Sequence, residues 1–246
     1  MSALEVRGLS KAYGGVQALR DVSFALDPSE VVALIGPNGA GKTTCFNLLN
    51  GQLAPDAGDI LVANASVAGL PPHRIARLGV GRTFQITQTF GSMSVRENVQ
   101  VALLSYHHGL GSLLAAAPRL HVDEAQELLE RVGMASQADR PCAALAYGDL
   151  KRVELATALA GRPRVLLMDE PTAGMAAEER SGLMQLAAEL AHTERIAVLF
   201  TEHDMAVVFG YAARVIVLHQ GEVIASGTPG AVRADPTVRE VYLGDA

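Results

Sequence analysis

The apolar residues Val31–Ile35 run without interruption into Gly36-Pro37-Asn38-Gly39-Ala40-Gly41-Lys42-Thr43-Thr44. A short apolar run before a glycine-rich loop reads as a buried strand that turns into a helix. Gly36, Gly39 and Gly41 allow positive φ, so that successive backbone N–H groups can converge on an anion. Lys42 supplies a compact cation for β- and γ-phosphates, and the Thr43 hydroxyl suits the shell of a divalent cation. A helix beginning at Lys42, with Thr44–Leu49 as its body and its end near Gly51, aims its positive dipole end at the same anion. A plain glycine turn accounts for a strand and a helix, but not for the glycine spacing and Lys-Thr as well. The four features in order predict a nucleoside triphosphate site.

Composition narrows the remaining classes. The chain has 246 residues, 49% of them hydrophobic, enough for one large domain or a domain with an inserted lobe. Its apolar runs (Val31–Ile35, Val165–Met168, Ile196–Phe200, Val215–Leu218) fall far short of the roughly 18–20 residues that cross a bilayer as a helix. The stretch Leu103–Ala117 is interrupted by His107, His108, Gly109 and Gly111. The N-terminus lacks a basic segment leading into an apolar one, so a cytoplasmic chain is expected, with any membrane role coming through a partner. A net charge of −6 without clustered Lys or Arg, and the absence of Trp, argue against nucleic acid as a partner. Cys45 and Cys142 have neither metal-ligand nor redox spacing, and Cys45 reads as a small buried apolar residue.

Hydropathy and turn residues predict strands at Leu4–Leu9, Val22–Leu26, Val31–Ile35 and Gly58–Val62, with turns at Gly14-Gly15 and Asp27-Pro28. A short helix follows over His73–Leu78. From about Ile86 to Gly161 the pattern becomes helical. Ser94-Val95-Arg96-Glu97 forms a capping box, Asp123–Met134 is amphipathic, and a third helix starts near Asp149. Alternation then resumes: strand Val165–Met168, helix Glu178–His192, strand Ile196–Thr201, helix Met205–Tyr211, strands Arg214–Leu218 and Glu222–Ala225, and helix Pro229–Ala234. The expected class is α/β, with a largely parallel sheet interrupted by a helical lobe.

The run Val165–Met168 ends in Asp169-Glu170, where ligands of open α/β sheets bind. Asp169 is suited to hold Mg²⁺ and Glu170 to polarise an attacking water, although two solvated acids at a strand end are equally ordinary. His203 follows the strand Ile196–Thr201, where an imidazole can donate to a phosphate oxygen; a lone histidine there is more often a polar loop residue. Gln85 can offer its carbonyl to Mg²⁺ or simply be a polar residue at the lobe boundary. Tyr13, before Gly14-Gly15, can stack on adenine or be a buried turn aromatic. His73, His107, His108, His121, His192 and His219 share no motif or ligand spacing.

Taken together, these pieces closely resemble the ATP-binding subunit of ABC transporters. The resemblance runs from Val6 to the C-terminus. It is carried by an aromatic loop at Tyr13, a Walker A loop at Gly36–Thr44, a Q-loop at Gln85, a Walker B strand with catalytic acid at Val165–Glu170 and a switch histidine at His203. Most discriminating is Leu145-Ala146-Tyr147-Gly148-Asp149, which resembles the ABC signature at the head of its helix. The resemblance implies a P-loop NTPase core with a mixed, largely parallel sheet, an antiparallel β part and an inserted helical subdomain. One nucleotide-binding domain would span 1–246, with its core in 1–85 and 161–246 and the helical signature subdomain in 86–160.

The same resemblance implies the site. ATP would be held by Tyr13 and by Gly36, Pro37, Asn38, Gly39, Ala40, Gly41, Lys42, Thr43 and Thr44. Mg²⁺ would be held by Thr43, Gln85 and Asp169, and hydrolysis carried by Glu170, His203 and Gln85. Ala146, Tyr147, Gly148 and Asp149 would face the ATP of an opposing cassette, making a dimer of cassettes the working unit. Segment Ile86–Val99 would receive a helix from one of two transmembrane permease subunits. That implies a cytoplasmic protein, peripheral on the inner membrane, served indirectly by a periplasmic substrate-binding protein. Two departures stand out: Ala146 replaces the usual signature serine, and Ala176 replaces an aspartate common after Walker B.

Gly81-Arg82-Thr83-Phe84-Gln85, the signature with alanine and the ending Val241-Tyr242-Leu243-Gly244 resemble the LivG-type branch, which implies import of branched-chain or other hydrophobic amino acids. Related branches serve urea or short amides, or export lipopolysaccharide. A non-transport ABC ATPase is a further alternative, but it usually carries two cassettes or a long coiled-coil insertion, and this chain has neither.

Overall fold

The computed structural model describes residues 1–107 and 120–243, so His108 and Gly244 lie outside the described residues. The chain opens with β1 (Leu4–Tyr13), β2 (Val16–Leu26) and β3 (Val31–Ile35), then α1 (Lys42–Leu49), β4 (Ala57–Val62), β5 (Ala65–Ser66), α2 (Pro72–Arg77) and β6 (Val80–Thr83). The helices α3 (Val95–His107), α4 (Val122–Arg131) and α5 (Tyr147–Leu159) follow. The remainder alternates: β7 (Val165–Asp169), α6 (Ala177–Glu194), β8 (Ala197–Thr201), α7 (Met205–Tyr211), β9 (Arg214–His219), β10 (Glu222–Gly227) and α8 (Pro229–Ala234), with short helical turns to Leu243.

Two sheets organise these elements. The larger has the order β10-β9-β3-β8-β7-β6; its neighbours from β9 to β6 are parallel, and only β10 joins antiparallel. The smaller is antiparallel, in the order β2-β1-β4-β5. A parallel sheet needs both faces covered, and side-chain alternation divides this one cleanly. Val32, Leu34, Val165, Leu167, Ala197, Leu199, Ile216 and Leu218 face a core shared with α1 and the small sheet. Val31, Ala33, Ile35, Leu166, Met168, Val198, Phe200, Val215 and Val217 face the other core, built with the helices that follow β6 and with α6 and α7.

Several elements differ from the sequence expectation for local reasons. The first two strands are longer than their apolar runs. Backbone pairing continues through Lys11↔Leu19, Ala12↔Gln17 and Tyr13↔Val16, where side-chain alternation has broken down across register shifts. Strand β6 was not anticipated: it has four residues, including Gly81 and Arg82, and is specified by its pairing with β7. Gly81 suits that place because a Cβ there would stand 2.9 Å from the Ala158 carbonyl oxygen of α5. Helix α5 starts at Tyr147, two residues before the expected Asp149, so Gly148 lies inside its first turn. The capping box at α3 forms as read: Ser94 Oγ accepts from Glu97 N–H at 3.2 Å, and Glu97 Oε2 accepts from Ser94 N–H at 2.7 Å.

Phe200, fully buried on β8, tests the division into two cores. Phe200→Ala should lower unfolding free energy by about 3–5 kcal/mol in urea denaturation. Val16→Ala, at a residue 69% exposed beside the β1–β2 turn, should change it by no more than about 0.5 kcal/mol.

Candidate nucleotide and catalytic site

The loop between β3 and α1 is built so closely that two of its glycines have no room for a side chain. A Cβ on Gly36 (φ 151°) would lie 2.0 Å from the Leu218 carbonyl oxygen, and one on Gly41 (φ 107°) 2.5 Å from that of Ala18. Gly39 (φ 81°) has open space, so there the positive φ is the constraint. Ala40 is buried, and its carbonyl accepts from Gly221 N–H at 3.0 Å; Pro37 is half-buried and Asn38 exposed. The Lys42 ammonium donates to Gly36 O at 2.6 Å and Pro37 O at 3.1 Å, leaving one N–H for a ligand. Burial lowers its pKa from the ordinary lysine value, against the opposing pull of Glu170 and Asp169. Thr43 is exposed and Thr44 half-buried on the first turn of α1. Tyr13 is 47% exposed at the end of β1, so the reading of a buried turn aromatic fails and the ring is available to a flat ligand.

At the ends of β7 and β8 the predicted acids take different roles. Asp169 Oδ1 accepts from the Thr201 hydroxyl at 2.9 Å, and its Oδ2 accepts from Arg82 Nη2 at 2.9 Å. Glu170 adopts φ 45°, a left-handed backbone that costs a non-glycine residue roughly 1–3 kcal/mol. Thr201 Oγ1 steadies it by accepting Glu170 N–H at 3.0 Å. The turn swings the Glu170 carboxylate away from Asp169. Its Oε2 accepts from Gln85 Nε2 at 2.7 Å, and its Oε1 lies 3.0 Å from His203 Nε2. Gln85, Glu170 and His203, separated in sequence, thus form one hydrogen-bonded chain. With Glu170 ionised, Nε2 is the protonated nitrogen of His203.

Three residues of this site were missed as functional candidates. Thr201 ties the two acids together through one hydroxyl. Arg82 reaches from β6 to Asp169 while donating to Asn47 Oδ1 at 2.8 Å and Gln52 Oε1 at 3.2 Å, so it links the phosphate-loop helix to the acid strand. It lies between the Phe46 and Phe84 rings, at 5.7 and 4.9 Å from their centroids, and burial lowers its pKa against the pull of Asp169. Glu202, also buried, accepts from the Thr172 hydroxyl at 2.5 Å and from His203 N–H at 3.1 Å, joining the turn after β7 to the histidine. Each lies in or next to a strand of the parallel sheet, and its partner comes from a segment distant in sequence.

The signature-like residues occupy the head of α5. Ala146 is its N-cap and contributes no side-chain acceptor; Tyr147 is 40% exposed and Asp149 half-buried in the first turn. Gly148 is buried against α6, where a Cβ would meet Glu179 Oε1 at 3.0 Å. Ala176 caps α6, its N–H donating to Glu179 Oε2 at 3.2 Å.

Two of the remaining histidines, which share no ligand spacing in sequence, meet in space. His107 and His121 both contact Glu124, at 3.2 and 3.1 Å, a proximity created by the helix pair rather than by local spacing. Their rings stack at 4.7 Å and 8°, and an ion held in one ring plane cannot lie in a parallel one; Arg162 also engages Glu124 at 3.3 Å. The cluster is therefore a hub on a carboxylate rather than a preformed metal centre. Cys45 and Cys142 are both buried, and burial pushes the Cys45 thiol up to about 12.

The family profile described as ABC transporter matches residues 19–173, and that of the branched-chain amino acid ATP-binding cassette transporter matches residues 222–246. The chain is 42% identical to the high-affinity branched-chain amino acid transport ATP-binding protein LivG of Escherichia coli, over 99% of this chain and 98% of that one. It is 40% identical to BraF of Pseudomonas aeruginosa, described in the same terms, over 99% and 98% of the two chains. A crystal structure of the ADP conformation of an ATP-binding cassette superimposes with a TM-score of 0.87 at 30% identity, covering all of both chains. The chain is thus an ATP-binding, ATP-hydrolysing cassette and belongs to the ABC transporter family.

Proposed function

We propose that this cassette powers uptake of branched-chain or other hydrophobic amino acids, through ATP-driven closure against a second cassette beneath two permease subunits. The observation that carries the catalytic reading is the Glu170 carboxylate held between the Gln85 amide and the His203 imidazole. The cargo reading rests on the likeness to LivG and BraF and on the match at residues 222–246. A cytoplasmic position under the membrane follows from that partnership; no helix among the described residues is long and apolar enough to cross a bilayer. A periplasmic binding protein would deliver the cargo.

In this reading the backbone N–H groups of the loop 36–43, apart from Pro37, which has none, and Ala40, which donates to Pro37 O, hold the phosphates with the third N–H of Lys42, and the Tyr13 ring lies on adenine. The oxygen donors Thr43, Gln85 and Asp169 fit a hard divalent cation, and Mg²⁺ bound there would neutralise charge on the phosphates. Each oxygen of Glu170 retains a lone pair beyond the one used by Gln85 or His203, so it can orient a water and draw its proton. The His203 Nε2–H that meets Glu170 is also suited to a γ-phosphate oxygen. Ala146, Tyr147, Gly148 and Asp149 present a helix N-terminus to the nucleotide of the opposite cassette. Closure is then favoured by the contacts to the γ-phosphate and released when it is cleaved.

Glu170→Gln should retain ATP binding and lose about 10²–10⁴-fold in turnover, accumulating as a nucleotide-bound dimer on size exclusion. Wild-type turnover in this variant would remove Glu170 from the chemistry. Gly36→Ala and Lys42→Ala should instead weaken binding itself in a fluorescent-nucleotide titration, the first by closing the loop against Leu218 and the second by deleting its cation. For the cargo, ATPase of the assembled transporter should rise with leucine-loaded binding protein and not with urea; the reverse would reassign the substrate.

A further inference from the structure

Two charges on α5 are buried where an amphipathic helix would ordinarily carry apolar groups. The Lys151 and Glu154 side chains are 2% and 3% exposed, one helical turn apart and 3.3 Å from each other. A buried ion pair is tolerated only when its remaining hydrogen-bonding capacity is met. Here it is met by backbone of the segment that follows β6. Lys151 Nζ donates to Phe84 O at 2.6 Å and to Gln85 O at 2.9 Å, and Glu154 Oε1 accepts from Phe84 N–H at 2.8 Å. The Tyr147 hydroxyl donates to Gln85 O at 3.3 Å as well.

These contacts leave little freedom. All three N–H groups of the Lys151 ammonium are engaged, so α5 cannot shift against residues 84–85 without stranding a buried charge. Residue 85 in turn carries the amide that donates to Glu170 Oε2 at 2.7 Å. A continuous connection therefore runs from the head of α5, through the Phe84–Gln85 backbone, to the carboxylate at the end of β7.

We propose that Lys151 and Glu154 are positioning residues for hydrolysis: they fix the Gln85 backbone to α5, so that the seat of the Gln85 amide on Glu170 follows the position of that helix. Docking of the α5 N-terminus on a neighbouring cassette is thereby felt at Glu170. The inference rests on the proposed roles of Gln85 and Glu170 and adds the pair that ties them to the helix. An apolar pair would fill the same volume without holding the backbone, which sets the experiment.

The double substitution Lys151→Met with Glu154→Leu removes both charges together and leaves neither stranded. It is made in the full-length chain and in Gln85→Ala, each assembled with its transporter partners, and is followed by ATP turnover, mant-ATP affinity and thermal midpoint. Turnover should fall about 10- to 100-fold, as expected for a catalytic group displaced by an ångström or so, with mant-ATP affinity within about twofold of wild type because the phosphate loop is untouched. In the Gln85→Ala background the same substitutions should cause no further fall. An equal fall in both backgrounds would make the pair merely structural and overturn the proposal, as would unchanged turnover in the otherwise native chain. Should the double variant not fold, Lys151→Met with Glu154→Gln, which keeps an acceptor for Phe84 N–H but removes both charges and the Lys151 hold on the Phe84 and Gln85 carbonyls, is run through the same cycle with the same criteria. If Gln85→Ala and Glu170→Gln themselves leave turnover unchanged, the catalytic reading fails, which is distinguishable from failure of the clamp alone.

Discussion

Parallel pairing is the constraint from which the site follows. Strands β3, β8, β7 and β6 are neighbours that run in one direction, so their carboxyl ends lie along a single edge of the sheet. That edge receives Gly36 from β3, Thr201 and then His203 from β8, Asp169 and Glu170 from β7, and Gln85 just beyond β6. Four chain segments far apart in sequence deliver to one place the groups proposed to bind phosphate, hold a cation and handle protons. The sheet can do this because both faces are covered: the two cores divide its side chains alternately, leaving only the strand ends for polar work.

Charge at that edge is managed by partners rather than by solvent. Asp169 is held by Arg82 and Thr201, Glu170 by Gln85 and His203, and Lys42 by its own loop carbonyls. Burial holds the Lys42 and Arg82 pKa values below those of free side chains, while the nearby carboxylates act against it. The strained backbone of Glu170 belongs to the same arrangement: the turn at φ 45° separates two adjacent acids so that each meets a different set of partners.

Legibility in the sequence followed whether a signal was local. The Walker A loop, the apolar run before Asp169-Glu170 and the capping box at Ser94 depend on neighbours within a few residues, and all three could be read directly. Strand β6, the full lengths of β1 and β2, the start of α5 at Tyr147 and the exposure of Tyr13 depend on what the rest of the chain places beside them. Hydropathy carries no trace of that. Lys151 and Glu154 illustrate the limit: nothing in their one-turn spacing marks them as buried, yet both are buried against backbone from another element.

The chain by itself determined the α/β class, the phosphate loop and the residue types able to bind and cleave a triphosphate, because glycine freedom, strand hydropathy and side-chain chemistry are properties of short segments. Only the tertiary structure decided that Glu170 sits between Gln85 and His203, that Arg82 and Thr201 hold Asp169, and that α5 grips residues 84–85. Those arrangements are set by the order in which parallel strands pair and by which helix covers which face, and both are long-range choices driven by burying two apolar cores at once.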